Sequence, residues 1–155
     1  MVETALKEAI RQGYRSHVAL VHVIFQGLRL FGNGRGLWRD PKWVGQITRS
    51  YGWAAPEKPV RPRLWDKQFR VMRLEPAFVE RVVRDFRQKG IPLEPPKQPL
   101  AFCLDTPCEE CAYLNWCDLR PDKEKWLKRH GKAGAAKKRR ELEEAFLLSP
   151  PPPKA

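Results

Sequence analysis

Four cysteines stand within fifteen residues, and their spacing constrains this chain more than any other feature of it. Cys103, Cys108, Cys111 and Cys117 form a C-x4-C-x2-C-x5-C arrangement in the segment CLDTPCEECAYLNWC. So dense a set of thiols has little packing value in a loop, but four thiolates on one inorganic centre fasten it. The x2 pair lets two sulfurs grip adjacent corners of such a centre, and the x5 step brings a further one round. Four-cysteine zinc sites are usually two separated C-x2-C knuckles, whereas here one x2 pair has single thiols on either side. The spacing therefore predicts a [4Fe-4S] cluster, with zinc as the alternative. Pro107 is expected to stiffen the approach, and Tyr113 and Trp116 to shield the centre from water.

Around this loop the sequence predicts a small, single, mainly α-helical domain. The chain has 155 residues, 42% of them hydrophobic and including 6 Trp and 7 Phe, enough apolar material for one core. From Val2 to Leu30 the pattern is mostly helical and interrupted at Gly13, with Ser16 the expected cap of the second piece. Asp40 and Pro41 predict a helix start running to about Tyr51. Pro56, Pro59 and Pro62 predict an extended connection, and Leu64 to Leu74 fits a helix or a strand equally well. Pro76 opens a clear amphipathic helix carrying Phe78, Val79, Val82, Val83 and Phe86, which ends at Gly90. Prolines at 92, 95, 96 and 99 form a stiff arm leading into the cysteine segment. The expected organisation is a helical domain over 1–100, the four-cysteine loop over 101–120 and a basic helix over 121–148. That helix is capped by Asp122 and weakened at Gly131 and Gly134, and the proline-rich tail 149–155 is expected to be disordered.

The ending CEECAYLNWC resembles the close of the [4Fe-4S] loop in endonuclease III and adenine glycosylases, which carries a further cysteine upstream, as Cys103 stands here. It is similar also to the cluster segments of RecB-like nucleases, including the CRISPR adaptation nucleases, and of WhiB-like regulators. Each resemblance implies a cluster and DNA. Each also stops at this segment. The chain lacks the Leu-Pro-Gly-x-Gly hairpin of the glycosylases, the Asp and Glu-x-Lys pattern of the nucleases and the glycine-rich turn that follows in WhiB-like proteins. The resemblance thus implies a cofactor and not an activity.

A formal net charge of +12 favours polyanionic partners. Lys128, Arg129, Lys132, Lys137, Lys138, Arg139 and Arg140 are expected to track phosphates along the last helix, although Glu141, Glu143 and Glu144 follow and could pair with them. A second basic set, Arg35, Arg39, Lys42 and Arg49, lies among Trp38, Trp43, Tyr51 and Trp53. Trp43 and Trp53 are expected in the core, with Arg35 and Trp38 on the glycine-rich turn as contacts to nucleic acid. That turn lacks the preceding strand and the Gly-Lys-Ser/Thr ending of a phosphate loop. His17, His22 and His130 read as core or surface histidines, and no Ser-His-Asp or Cys-His set can be built. The leading expectation is a non-catalytic iron-sulfur nucleic-acid-binding protein, a subunit or accessory factor of a DNA- or RNA-processing assembly with protein partners. A redox-responsive iron-sulfur transcription regulator and a zinc-stabilised protein-interaction module are the alternatives. No apolar run is long enough to span a bilayer and no secretory start is visible, so a cytoplasmic protein without membrane contact is expected.

Overall fold

The computed structural model describes residues 1–32 and 40–146; Arg35, Trp38 and Arg39, with the tail 149–155, lie outside these. The protein is mainly helical. Helix α1 (Val2–Arg11) turns its Ala5, Leu6, Ala9 and Ile10 stripe inward, and all four are fully buried. They pack in one core with Val23, Ile24, Phe25 and Leu28 of α2 (Leu20–Phe31) and with Phe78, Val79 and Val82 of α4 (Pro76–Gln88). Helix α3 (Pro41–Ser50) starts as its sequence dictates: the Asp40 carboxylate accepts from the Lys42 and Trp43 N–H groups, and Pro41 occupies the first turn.

One sequence expectation fails at the start of α2. His17–Ala19 is a strand, β1, and the helix begins only at Leu20, with Ala19 as its cap and the Ser16 hydroxyl bonded to His17 Nδ1 instead. Val18 and Ala19 pair antiparallel with Met72 and Val71 of β4 (Val71–Arg73), a partner some fifty residues away that no local periodicity can reveal. Within Leu64 to Leu74 the chain resolves as strands: β2 (Arg63–Leu64) pairs with β3 (Lys67–Gln68), and β4 follows. The turn joining β2 to β3 holds Trp65 and Asp66 at φ 56° and 59°. Side-chain-bearing residues adopt that left-handed region at a cost of roughly 1–3 kcal/mol each. The surroundings hold Trp65 there, because its indole is 1% exposed in the core.

The proline arm is docked rather than free. Glu94 N–H donates to Arg11 O and Lys97 N–H to Gly13 O, so the arm lies along the end of α1. Gly13 is required at this crossing: φ is +114°, and a Cβ would sit 2.2 Å from Pro95 O. The arm delivers the chain to α5 (Ala101–Leu104), then to a 3-10 turn (Cys108–Glu110), and finally to α6 (Arg120–Phe146). Helix α6 begins before Asp122, which pairs with Lys67 rather than capping. It is kinked at Gly131, φ 67°, beyond which Leu142 and Phe146 return to the core and Phe146 packs edge-on against His17.

Candidate metal centre and basic surfaces

All four cysteines line one pocket. Cys103 is fixed on α5 and buried, Cys108 opens the 3-10 turn, Cys111 closes it, and Cys117 precedes α6; these last three are half-buried. The other walls are the apolar side chains of Phe25, Phe102, Leu114 and Leu119, with Thr106, Arg120 and Lys123. Phe25 and Phe102 line this pocket, and Tyr113 and Trp116 do not. Tyr113 instead anchors the loop to α2: it is buried, stacks on Phe25 and shares a 3.2 Å hydrogen bond with His22 Nε2.

Two sulfurs already accept hydrogen bonds. The Trp65 indole N–H donates to Cys103 Sγ at 3.1 Å, and the Leu119 backbone N–H to Cys117 Sγ at 3.3 Å. Such bonds stabilise negative sulfur and are among the levers that tune a metal–thiolate centre. Burial pushes the Cys103 thiol up to about 11, with Cys117 and Cys108 nearby adding to the rise, while the Trp65 bond and Lys123 oppose it. Burial likewise raises Cys117, with Cys111 and Cys108 contributing. The four sulfurs thus lie close enough to act on one another's charge.

Lys123 is the residue that sequence reasoning missed. It is 6% exposed, yet among the described residues no carboxylate pairs with it. Its ammonium donates to the backbone oxygens of Cys103 and Thr106 and stands 5.3 Å over the Trp65 ring. A buried cation costs several kcal/mol unless negative charge compensates it. Among the groups lining this pocket only the cysteines can become anionic, and because burial raises Cys103 and Cys117 they would supply that charge only with a bound metal holding them as thiolates. No sequence pattern marks Lys123 among its neighbouring cations; burial alone does.

The donor set suits a thiophilic metal or cluster, since sulfur ligands, an apolar wall, N–H groups facing sulfur and a compensating cation occur together. As the side chains stand, no three His, Cys, Asp or Glu among the described residues are grouped to hold a metal ion. The free space between them is about 20 Å³, enough for one water-sized sphere. Of the four thiols, Cys103 is the one fixed by a side-chain hydrogen bond, from the Trp65 indole.

The expected phosphate contacts divide into two kinds. On α6, Arg129 pairs with Asp66, Lys138 with Glu141, and Arg139 with both Asp105 and Glu143. Lys128, Lys132, Lys137 and Arg140 are exposed there without an ion pair among the described residues. Lys42 instead lies in a groove of about 530 Å³ with Arg49, Lys58, Arg61 and Arg70, and no acid lines it. Connecting segments bring Lys58, Arg61 and Arg70 beside α3, which the sequence could not indicate. Trp43 and Trp53 pack against the core as expected, and Trp53 stacks at 4.8 Å on the exposed Tyr51. His22 is fully buried and stacked on Phe102, and burial pushes it down to about 3.

No helix among the described residues is long and apolar enough to cross a membrane. Compared with known proteins, the chain matches no family model, no curated protein and no solved structure.

Proposed function

We propose that this chain is a non-catalytic iron-sulfur protein that binds nucleic acid within a larger DNA- or RNA-processing assembly, its four thiolates holding a [4Fe-4S] cluster. The observation that carries this reading is the buried, carboxylate-free Lys123 in a pocket lined by all four cysteines. Four thiolates on a [4Fe-4S] or a zinc centre leave a net negative charge, which such a cation offsets. The C-x4-C-x2-C-x5-C spacing favours the cluster over zinc.

In this reading Cys103 is the fixed ligand on α5, and Cys108, Cys111 and Cys117 close from the outer wall. Trp65 and Leu119 direct N–H groups at two of the sulfurs. The bound group would supply a covalent fastening between α5 and the loop that leads into α6, together with a redox-sensitive centre. Nucleic acid is held by charge. Five cations on the α3 groove, with no acid among them, neutralise backbone phosphates and release counterions. The unpaired Lys128, Lys132, Lys137 and Arg140 of α6 extend the same attraction.

Fluorescence anisotropy with labelled single- and double-stranded DNA and RNA, read over a range of salt, tests the binding half of this reading. Affinity should fall steeply with salt, and Arg61→Glu combined with Arg70→Glu should reduce the log–log salt slope by about two. Wild-type protein showing no affinity for any of these polymers at low salt would end the nucleic-acid reading.

A further inference from the structure

A second basic groove, of about 790 Å³, is formed by the outer face of α4, the end of β4 and the turn at Arg15–Ser16. It shares no residue with the α3 groove or the thiol pocket. Its floor is aliphatic, from Leu74, Val79 and Val83, and its polar rim is Arg15, Arg73, Arg84 and Arg87 with Glu80. An aliphatic lining with a few polar groups at its rim is the composition of a small-molecule site, here an open, shallow one.

The charges on this rim are not satisfied from within. Arg73 is neutralised by Glu57 at 2.6 Å. Arg15, Arg84 and Arg87 make no ion pair among the described residues, and neither does Glu80. Arg15 donates from one terminal nitrogen to Glu94 O, but its Nε is shut off from solvent without any hydrogen-bond partner. A buried donor left unmatched is unfavourable. Burial, and then the nearness of Arg87, hold the Arg15 guanidinium below its usual value. Guanidinium groups gathered beside an apolar floor suit an anion that carries an apolar part.

We infer that this groove binds a phosphate monoester, with the phosphate between Arg15, Arg84 and Arg87 and the ester's organic part along Leu74, Val79 and Val83. Charge selects this class. Three guanidinium groups against the one carboxylate of Glu80 leave a surplus of two, which matches a phosphate monoester at roughly −1.5 to −2 and exceeds a carboxylate. Guanidinium forks bind phosphate oxygens in bidentate fashion, and the exposed guanidinium groups of Arg84 and Arg87 are free to do so. The aliphatic floor has no aromatic platform, so the organic part is held by burial rather than by base stacking. This inference does not depend on the cysteine centre or on nucleic-acid binding.

Isothermal titration of the full chain with phenyl phosphate at constant ionic strength tests the site. Saturable 1:1 binding is expected, at least tenfold tighter than inorganic phosphate, which lacks the organic part, and than phenyl sulfate, a monoanion. Arg84→Gln and Arg87→Gln, both on the exposed face of α4, should each weaken it about tenfold or more without moving the melting temperature. Competition by a 5′-phosphorylated oligonucleotide, but not by its 5′-hydroxyl counterpart, would identify strand ends as the source of the ester; competition by neither would identify small molecules, and both uphold the site. Equal competition by the 5′-hydroxyl strand would make the groove a strip of phosphodiester-binding surface and overturn the inference. Absence of saturable binding, or binding unchanged in Arg87→Gln, would overturn it equally.

Discussion

At the thiol pocket one cation, Lys123, is buried beside four sulfurs and among aromatic and aliphatic walls, whereas five cations line the α3 groove and, among the described residues, no acid does. Both places carry uncompensated positive charge. They differ in what water can do about it. In the groove solvent screens each charge, so the gathering costs little and the charges remain available to a polyanion. In the pocket solvent is excluded, so Lys123 needs a counter-charge inside the fold. Helix α6 is intermediate, since part of its basic run is already answered by Asp66, Asp105, Glu141 and Glu143. Density of lysine and arginine in sequence is therefore a poorer guide to a phosphate-binding surface than the absence of acids around them in space.

The largest effect should come from Cys103, the proposed fixed ligand of the pocket. Cys103→Ser is expected to abolish metal retention on gel filtration, because no other thiol is held from behind by the core as Cys103 is by Trp65. If Cys103→Ser retained metal at the wild-type stoichiometry, Cys103 would not be a ligand.

The water-excluding side also fixes a pH response. His22 is fully buried and takes up its proton only near 3, while the unfolded chain does so near 6.5. Between these values the unfolded state binds more protons, so stability present in full above 6.5 is lost as pH falls towards 3, by roughly 1.4 kcal/mol per unit. Urea midpoints at pH 7, 6 and 5 measure it, and His22→Phe should flatten the profile. An unchanged slope in that variant would assign the acid sensitivity to other groups.

Lys123→Met sharpens the contrast because its effect should change sign with loading. Removing a buried cation that no anion answers should stabilise the metal-free protein, since its bonds to the Cys103 and Thr106 oxygens return less than its desolvation costs. The same substitution should make the loaded protein release its metal faster to a chelator, since the negative centre loses its counter-charge. Parallel changes in both states would show that Lys123 responds to packing and not to charge in the pocket.

The smallest effect should fall on the paired part of α6. Arg139→Gln breaks exposed ion pairs with Asp105 and Glu143, each worth about 0–1 kcal/mol, and should alter nucleic-acid affinity less than Arg70→Gln in the α3 groove. The reverse order, read by anisotropy at one salt concentration, would return the main contact surface to the last helix.

What could be read in advance was local. The cysteines share one pocket because their thiols are neighbours in sequence, and α3 and α4 follow from Asp40, Pro41, Pro76 and an apolar stripe. What could not be read depends on partners far along the chain. β1 is a strand because β4 pairs with it, although its own residues suit the helical pattern of α2. Lys123 looks like one cation among many until the fold buries it against Cys103 and Thr106. Arg61, Arg70 and Arg15 belong to stretches with no motif, and only the fold gathers them with Arg49 or with Arg87.

The central claim is that negative sulfur on a metal occupies the space beside Lys123. Protein purified without oxygen and assayed for iron, acid-labile sulfide and zinc tests it most directly, with visible and electron paramagnetic resonance spectra on the same sample. The account predicts a brown protein with about four iron and four sulfide per chain, bleached by oxidation. A colourless chain with one zinc would replace the cluster by a single ion, and a chain with neither metal would contradict the account.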